Sequence, residues 1–121
     1  IRGPKGHFYA QERYRAYLET LGEYGISFDP NLVTPPSTWG MDKGEEGMRL
    51  LLDERKQKPG VDFEAVAAAN DEMIIGAWDV LRARGARIPE DVAVVGFDDR
   101  LEGKINGIEP CLPFMEVRIH Y

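Results

Sequence analysis

The sequence predicts an α/β domain, three layers deep, in which a mostly parallel sheet carries helices on both faces. Two short and nearly uninterrupted apolar runs, residues 63–69 and 92–97, read as strands covered on both sides. Apolar residues at helical spacing precede and separate these runs, so strand and helix alternate along the chain. Glycine, proline and Asn-Asp punctuation falls where the elements should stop.

The first helix is marked by Ala10, Tyr14, Tyr17, Leu18 and Leu21, an amphipathic stripe expected to face the core, with Gly22 or Gly25 as its stop. Residues 31–33 form a strand candidate. Pro35, Pro36 and Ser37 follow, too proline-rich for a central strand, so a loop is expected there. Gly44, Met48, Leu51, Leu52 and Arg55 outline a second helix, closed by Lys58, Pro59 and Gly60. After the buried strand 63–69, Asp71 is the expected cap of a third helix, on which Met73, Ala77, Val80, Leu81 and Arg84 share a face. Gly85 stands where a C-terminal glycine belongs. Pro89 interrupts, 92–97 forms the next buried strand, and beyond Asp99 regularity fades through Gly103, Gly107, Pro110 and Pro113 to an edge-strand candidate at 115–120. There is no internal repeat and no low-complexity segment.

Bulk properties narrow the function. The 121 residues suffice for one domain with its own core. Hydrophobic residues at 43% and charged residues at 30% are ordinary for a globular protein, and no apolar run approaches the roughly 20 residues of a spanning helix. A net charge of −6 and a pI near 4.9 argue against grip on a phosphate backbone, which needs clustered Lys and Arg. The single cysteine, Cys111, makes no internal disulfide, which fits a reducing cytoplasm. Because the chain opens at Ile1 without Met or a signal pattern, it reads as a fragment of a longer protein.

In an open parallel sheet, ligands bind beyond the carboxyl ends of the strands. Two polar pairs fall at such ends, Asn70-Asp71 and Asp98-Asp99, and Arg13 in the first helix reaches toward the same edge. A guanidinium, an amide and a carboxylate offer donors and acceptors suited to a polyhydroxylated or purine-like ligand. Trp39, in the loop after the strand candidate at 31–33, adds a flat apolar surface for the C–H face of a sugar ring. Each has a plainer reading: Asp71 as a helix cap, Asn70 as a turn residue, Arg13 as a solvated cation, Trp39 as a plug beneath a loop, and Asp98-Asp99 as a strand-ending turn.

Machinery for chemistry is lacking. No phosphate loop is present, and His7, His120 and Cys111 lack metal-ligand spacing. Ser27 and Ser37 sit outside any nucleophile elbow. A Mg²⁺-dependent enzyme or phospho-acceptor built on Asp98 and Asp99 would need further carboxylates and a lysine, and only Asp71 is at hand.

Three stretches together resemble one family. They are Ile88-Pro89-Glu90-Asp91-Val92-Ala93-Val94-Val95-Gly96-Phe97-Asp98-Asp99, Ala69-Asn70-Asp71-Glu72-Met73, and Gly3-Pro4 followed by Arg13, Tyr17 and Leu21. They resemble the C-terminal subdomain of the LacI/GalR family's effector-binding domain, of the type I periplasmic-binding-protein-like kind, as far as about Glu109. The resemblance implies one flavodoxin-like half of that fold, no catalytic activity, no cofactor and no metal. By residue-level analogy it assigns Arg13, Asn70 and Asp98 to hydrogen bonds with a sugar or nucleobase effector, Trp39 to stacking, and His7 and Tyr9 to the cleft lining. It further implies a cytoplasmic regulator that dimerises, and that meets DNA only through a headpiece lying, like the N-terminal subdomain, outside these residues. A sensor feeding a kinase or cyclase and a periplasmic sugar-binding protein are the neighbouring alternatives. Two departures stand out: Ala16 where the family often has Gly, and 110–117 in place of a Pro-Pro-Leu-Thr-Thr-Val stretch.

Overall fold

The computed structural model describes residues 1–96 and the backbone of Glu109–Pro110. Helix α1 spans Phe8–Glu23, a 3-10 turn covers Pro30–Leu32, and α2 spans Met41–Arg49, continuing as one π-helical turn at Leu50–Glu54. Strand β1 is Ala65–Ala67, α3 is Asp71–Ala83, β2 is Ala93–Gly96 and β3 is Glu109–Pro110. The sheet runs β1-β2-β3 and both pairings are parallel, with Val66 beside Val94 and Val95 beside Glu109. The expected parallel α/β architecture is present.

The core lies between α2, α3 and the sheet. Met48 and Leu51 meet Ile74, Ile75, Ala77, Val80 and Leu81 of α3, and the layer closes on Val66, Val92 and Val94. Burying each large aliphatic side chain contributes about 1.5–3 kcal/mol. The two helices cross with their backbones in contact: a Cβ on Gly44 would lie 1.8 Å from the Met73 carbonyl oxygen, and one on Gly76 would lie 2.0 Å from that of Met41. No side chain fits at either position. At the far end of α3, Gly85 adopts φ +81° and donates to the Arg82 carbonyl while Ala86 donates to Leu81, a glycine stop of the Schellman type. The same device ends α1 at Gly25, with Ile26 donating to Leu21, so Gly25 and not Gly22 is the stop.

Four expectations need correction. Residues 31–33 are not a strand: Pro30 opens the 3-10 turn, the Asp29 carboxylate accepts from the Asn31 N–H at 2.9 Å, and the Arg55 guanidinium donates to the carbonyls of Pro30, Asn31 and Val33. Those side chains take the hydrogen bonds that a sheet partner would have made. Asn70, not Asp71, caps α3; its Oδ1 accepts from the Met73 N–H at 3.0 Å, while Asp71 lies buried in the first turn. The run 63–69 contains a strand of three residues, in which only Val66 is buried. Finally, α1 does not enter the core: of its stripe only Ala10 is buried, and Tyr17 and Leu18 are 36% and 37% exposed. The edge-strand candidate at 115–120 lies outside the described residues, as does position 97 at the end of the second apolar run.

Candidate functional site

The end of β1 is the point where separate stretches of chain converge. The backbone nitrogen of Ile1 donates to the Ala67 carbonyl at 2.8 Å and the Ala69 N–H donates to the Ile1 carbonyl at 3.1 Å, so the first residues run alongside β1. The loop before α2 is then tied to them. Arg2 N–H donates to Thr34 Oγ1 at 3.0 Å, Ser37 N–H to the Gly3 carbonyl at 3.1 Å, and Ser37 Oγ–H to the Arg2 carbonyl at 3.0 Å. Thr34 is buried, so its hydroxyl pairs a backbone donor that would otherwise be costly to shield from water.

Around this seam stand the candidate binding residues. Arg13, one turn into α1, donates through Nη1 to the carbonyl of Ala69, the residue just before Asn70. The guanidinium and the carboxamide are thereby held at one strand end, because the Arg fork is fixed by that carbonyl and Asn70 by its capping bond. Trp39 packs against the same spot from the loop, its ring near Gly3, which in turn lies against Ala10 and Ala69. His7 stands edge-on to Trp39, with ring centroids 5.0 Å apart and planes at 89°, and Tyr9 lies 6.0 Å from His7. His7 and Tyr9 are exposed, and Trp39 is half-buried. Five of the six candidate residues, Arg13, Asn70, Trp39, His7 and Tyr9, thus share one neighbourhood. The sixth, Asp98, lies with Asp99 outside the described residues.

Chemically the neighbourhood supplies fixed hydrogen-bonding groups beside an aromatic surface, the combination by which a polyhydroxylated ring is held. Among the described residues, no group of three or more His, Cys, Asp or Glu side chains is arranged to hold a metal ion. Beside the seam, a cavity of about 160 Å³ opens between α1 and β1, lined by Arg13, Tyr14, Tyr17 and Phe63 together with the alanines of β1. Burial there pushes the Tyr17 phenol above its ordinary value, with lesser contributions from Tyr14 and Asp29. The Arg2 guanidinium lies 4.0 Å over the Tyr14 ring, a cation–π contact that closes one wall. Arg2, Thr34 and Ser37 carry no sequence signal that would single them out. Their role comes from chain segments more than thirty positions apart meeting at one seam.

This fold, with polar and aromatic groups gathered at a strand end, is that of a periplasmic-binding-protein-like α/β domain. The chain belongs to the family described as periplasmic binding protein-like domain, whose family model matches residues 1–105. Its relatives are regulators of the LacI/GalR type. It is 46% identical over 99 residues to the HTH-type transcriptional regulator CelR of Thermobifida fusca, covering 82% of this chain and 27% of that one. It is 39% identical over 88 residues to the HTH-type transcriptional regulator AscG of Escherichia coli K12, covering 73% and 24%. A solved structure of a transcriptional regulator CelR–cellobiose complex superposes with a TM-score of 0.73 at 43% identity, over 82% of this chain and 28% of that one. The chain therefore spans about a quarter of the length of the curated relatives it matches. Among the described residues, no helix is long and apolar enough to cross a membrane.

Proposed function

We propose that this chain forms part of the effector-binding domain of a sugar-responsive transcriptional regulator of the LacI/GalR type, acting in the cytoplasm as a binding module and not as a catalyst. In this reading the effector is a small saccharide held at the end of β1. Arg13 and Asn70 hydrogen-bond its hydroxyls, Asp98 completes the polar set, Trp39 stacks on the ring, and His7 and Tyr9 line the approach. The observation that carries it is the bond from Arg13 to the Ala69 carbonyl, which brings a guanidinium to the residue before Asn70, where Trp39 also packs by way of Gly3. The cellobiose complex of a regulator 43% identical to this chain favours a glucose-containing disaccharide over a nucleoside.

Binding at one subdomain shifts the closure of two, and an attached output responds to the favoured state. The output is operator binding by a dimer, through a helix-turn-helix headpiece elsewhere in the regulator. Calorimetric titration of the full regulator with cellobiose, glucose and adenosine tests the effector class. Saturable binding of a saccharide is expected, with heat lost in an Asp98→Ala variant that still folds. Binding of adenosine alone would replace the saccharide by a nucleobase, and binding of none of them would end this reading.

A further inference from the structure

Gly3 is required for a reason that its backbone does not explain. It is not among the glycines with positive φ, so its conformation suits any residue. What excludes a side chain is space. A Cβ at Gly3 would lie 2.9 Å from Ala69 Cβ, closer than such carbons approach, and 3.0 Å from Trp39 Cζ3 and 3.1 Å from Ala10 Cβ, tight contacts that a neighbour must relieve by moving a few tenths of an ångström. Three elements therefore touch at one α-carbon: the end of β1, the loop that carries Trp39, and α1.

These neighbours do not yield equally. The methyls of Ala10 and Ala69 are fixed directly to helix and strand-end backbone, so moving either one moves a whole element. The loop backbone is also held, by the bonds of Ser37 to the Gly3 and Arg2 carbonyls. The Trp39 ring is different, because it sits at the tip of a side chain with two rotatable bonds and is only half-buried. Of the three neighbours it is the one with freedom to move.

We propose that Gly3 is a positioning residue for the effector site: by lacking a side chain it seats the Trp39 indole, and so sets the height of the stacking face above Arg13 and Asn70. The inference rests on the reading of Trp39 as a sugar-stacking residue. A methyl group at position 3 unseats the ring, separates it from His7 and selectively weakens ligands that depend on stacking.

The test uses the full-length protein carrying Trp78→Phe, with any tryptophan outside these residues also replaced by Phe, so that Trp39 alone emits. Gly3→Ala should shift Trp39 emission to longer wavelength and raise its quenching by acrylamide. It should also weaken cellobiose binding by about threefold to tenfold, the scale of one aromatic contact. In urea denaturation, Gly3→Ala should cost less stability in a Trp39→Leu background than in the parent, since the smaller side chain vacates the contested space. Should Gly3→Ala alone fail to fold, recovery of folding in the double variant is the corresponding positive result. Unchanged emission, or an equal stability cost in both backgrounds, would overturn the proposal by showing that Ala10 and Ala69 absorb the strain. An emission shift with unchanged cellobiose affinity would overturn the role in binding. If the parent binds no saccharide, the functional reading fails instead, and emission and denaturation still decide what Gly3 does to the indole.

Discussion

The half of the molecule built from α2, α3 and β2 and the half built from residues 1–40 are held together by different forces. In the first, α2 and α3 touch backbone to backbone at Gly44 and Gly76, and every residue of β2 is buried. In the second, α1 buries only Ala10, and apart from the close packing at Gly3 the connections described are polar: Arg13 to Ala69, Ser37 to Arg2 and Gly3, Arg2 to Thr34, and Arg55 to the 3-10 turn. Close packing resists displacement because every shift opens a void or creates a clash, whereas hydrogen bonds at a partly exposed seam can exchange with water. One half is a scaffold, and the other presents a surface whose groups adjust. Of the five candidate binding residues that are described, Arg13, Trp39, His7 and Tyr9 come from the second half, and Asn70 stands on the boundary.

That contrast can be broken from either side. The largest effect is expected from Gly76→Val, which drives a side chain into the Met41 carbonyl and should cost roughly 3 kcal/mol or more, read as a lowered urea midpoint. If Gly76→Val unfolds at the parent's midpoint, the helices are not in backbone contact and the scaffold description fails. Next, Leu81→Ala should cost about 2–5 kcal/mol, since its side chain is wholly buried in the core. An equivalent truncation in the other half, Leu18→Ala on the 37% exposed side of α1, should cost less than about 1 kcal/mol. Equal costs for the two leucines would erase the distinction.

Arg55→Ala tests the polar tethers. It removes the donor shared by three carbonyls and should cost about 1–2 kcal/mol, with faster amide exchange confined to residues around the 3-10 turn. Asn70 sharpens the boundary. Asn70→Ala should lose about 1 kcal/mol of α3 stability along with effector affinity, whereas Asn70→Asp keeps a capping oxygen and should lose affinity alone. Loss of both properties in Asn70→Asp would mean that the carboxamide serves the helix in some further way.

The smallest effect concerns pH. The Arg84 guanidinium, hydrogen-bonded to Asp53, holds that carboxyl below its ordinary value of 3.8, and Arg87 does the same for Asp91. A carboxyl whose folded-state value is depressed binds fewer protons folded than unfolded, so its stabilisation is present above about pH 4 and fades as pH falls through the folded value. Both pairs are exposed, so the effect is small and screened by salt. The urea midpoint of Asp53→Asn should fall slightly below the parent's at pH 7, and the gap should narrow as pH is lowered below about 4. A gap that does not narrow would point to packing in place of charge.

Legibility in the sequence follows the same division. Helix α3, its glycine stop and β2 were readable because each is specified by residues within a dozen positions: a 3.6-residue apolar period, Gly85, and a valine-rich run. The tripeptide 31–33 misled because its apolar ending looks strand-like, while what decides its shape is Arg55, more than twenty positions away. The stripe on α1 was correctly periodic but faces a cleft and partial solvent, since periodicity reports that one face is apolar and not how deeply it is buried. The assignment of the cap failed by one residue, because Asn and Asp cap equally well and only the backbone, extended at Asn70, distinguishes them.

By itself, then, the sequence determined the α/β class, the parallel sheet, the helix that follows Asn70 and the list of chemically apt residues, because local periodicity and turn chemistry act over short stretches of chain. Only the tertiary structure decided that Arg13 bonds to the carbonyl before Asn70, that Trp39 rests at Gly3, and that the first residues and the loop before α2 are sewn into one seam. Those relations depend on distances between segments far apart in the chain, and such distances are set by packing the whole domain at once.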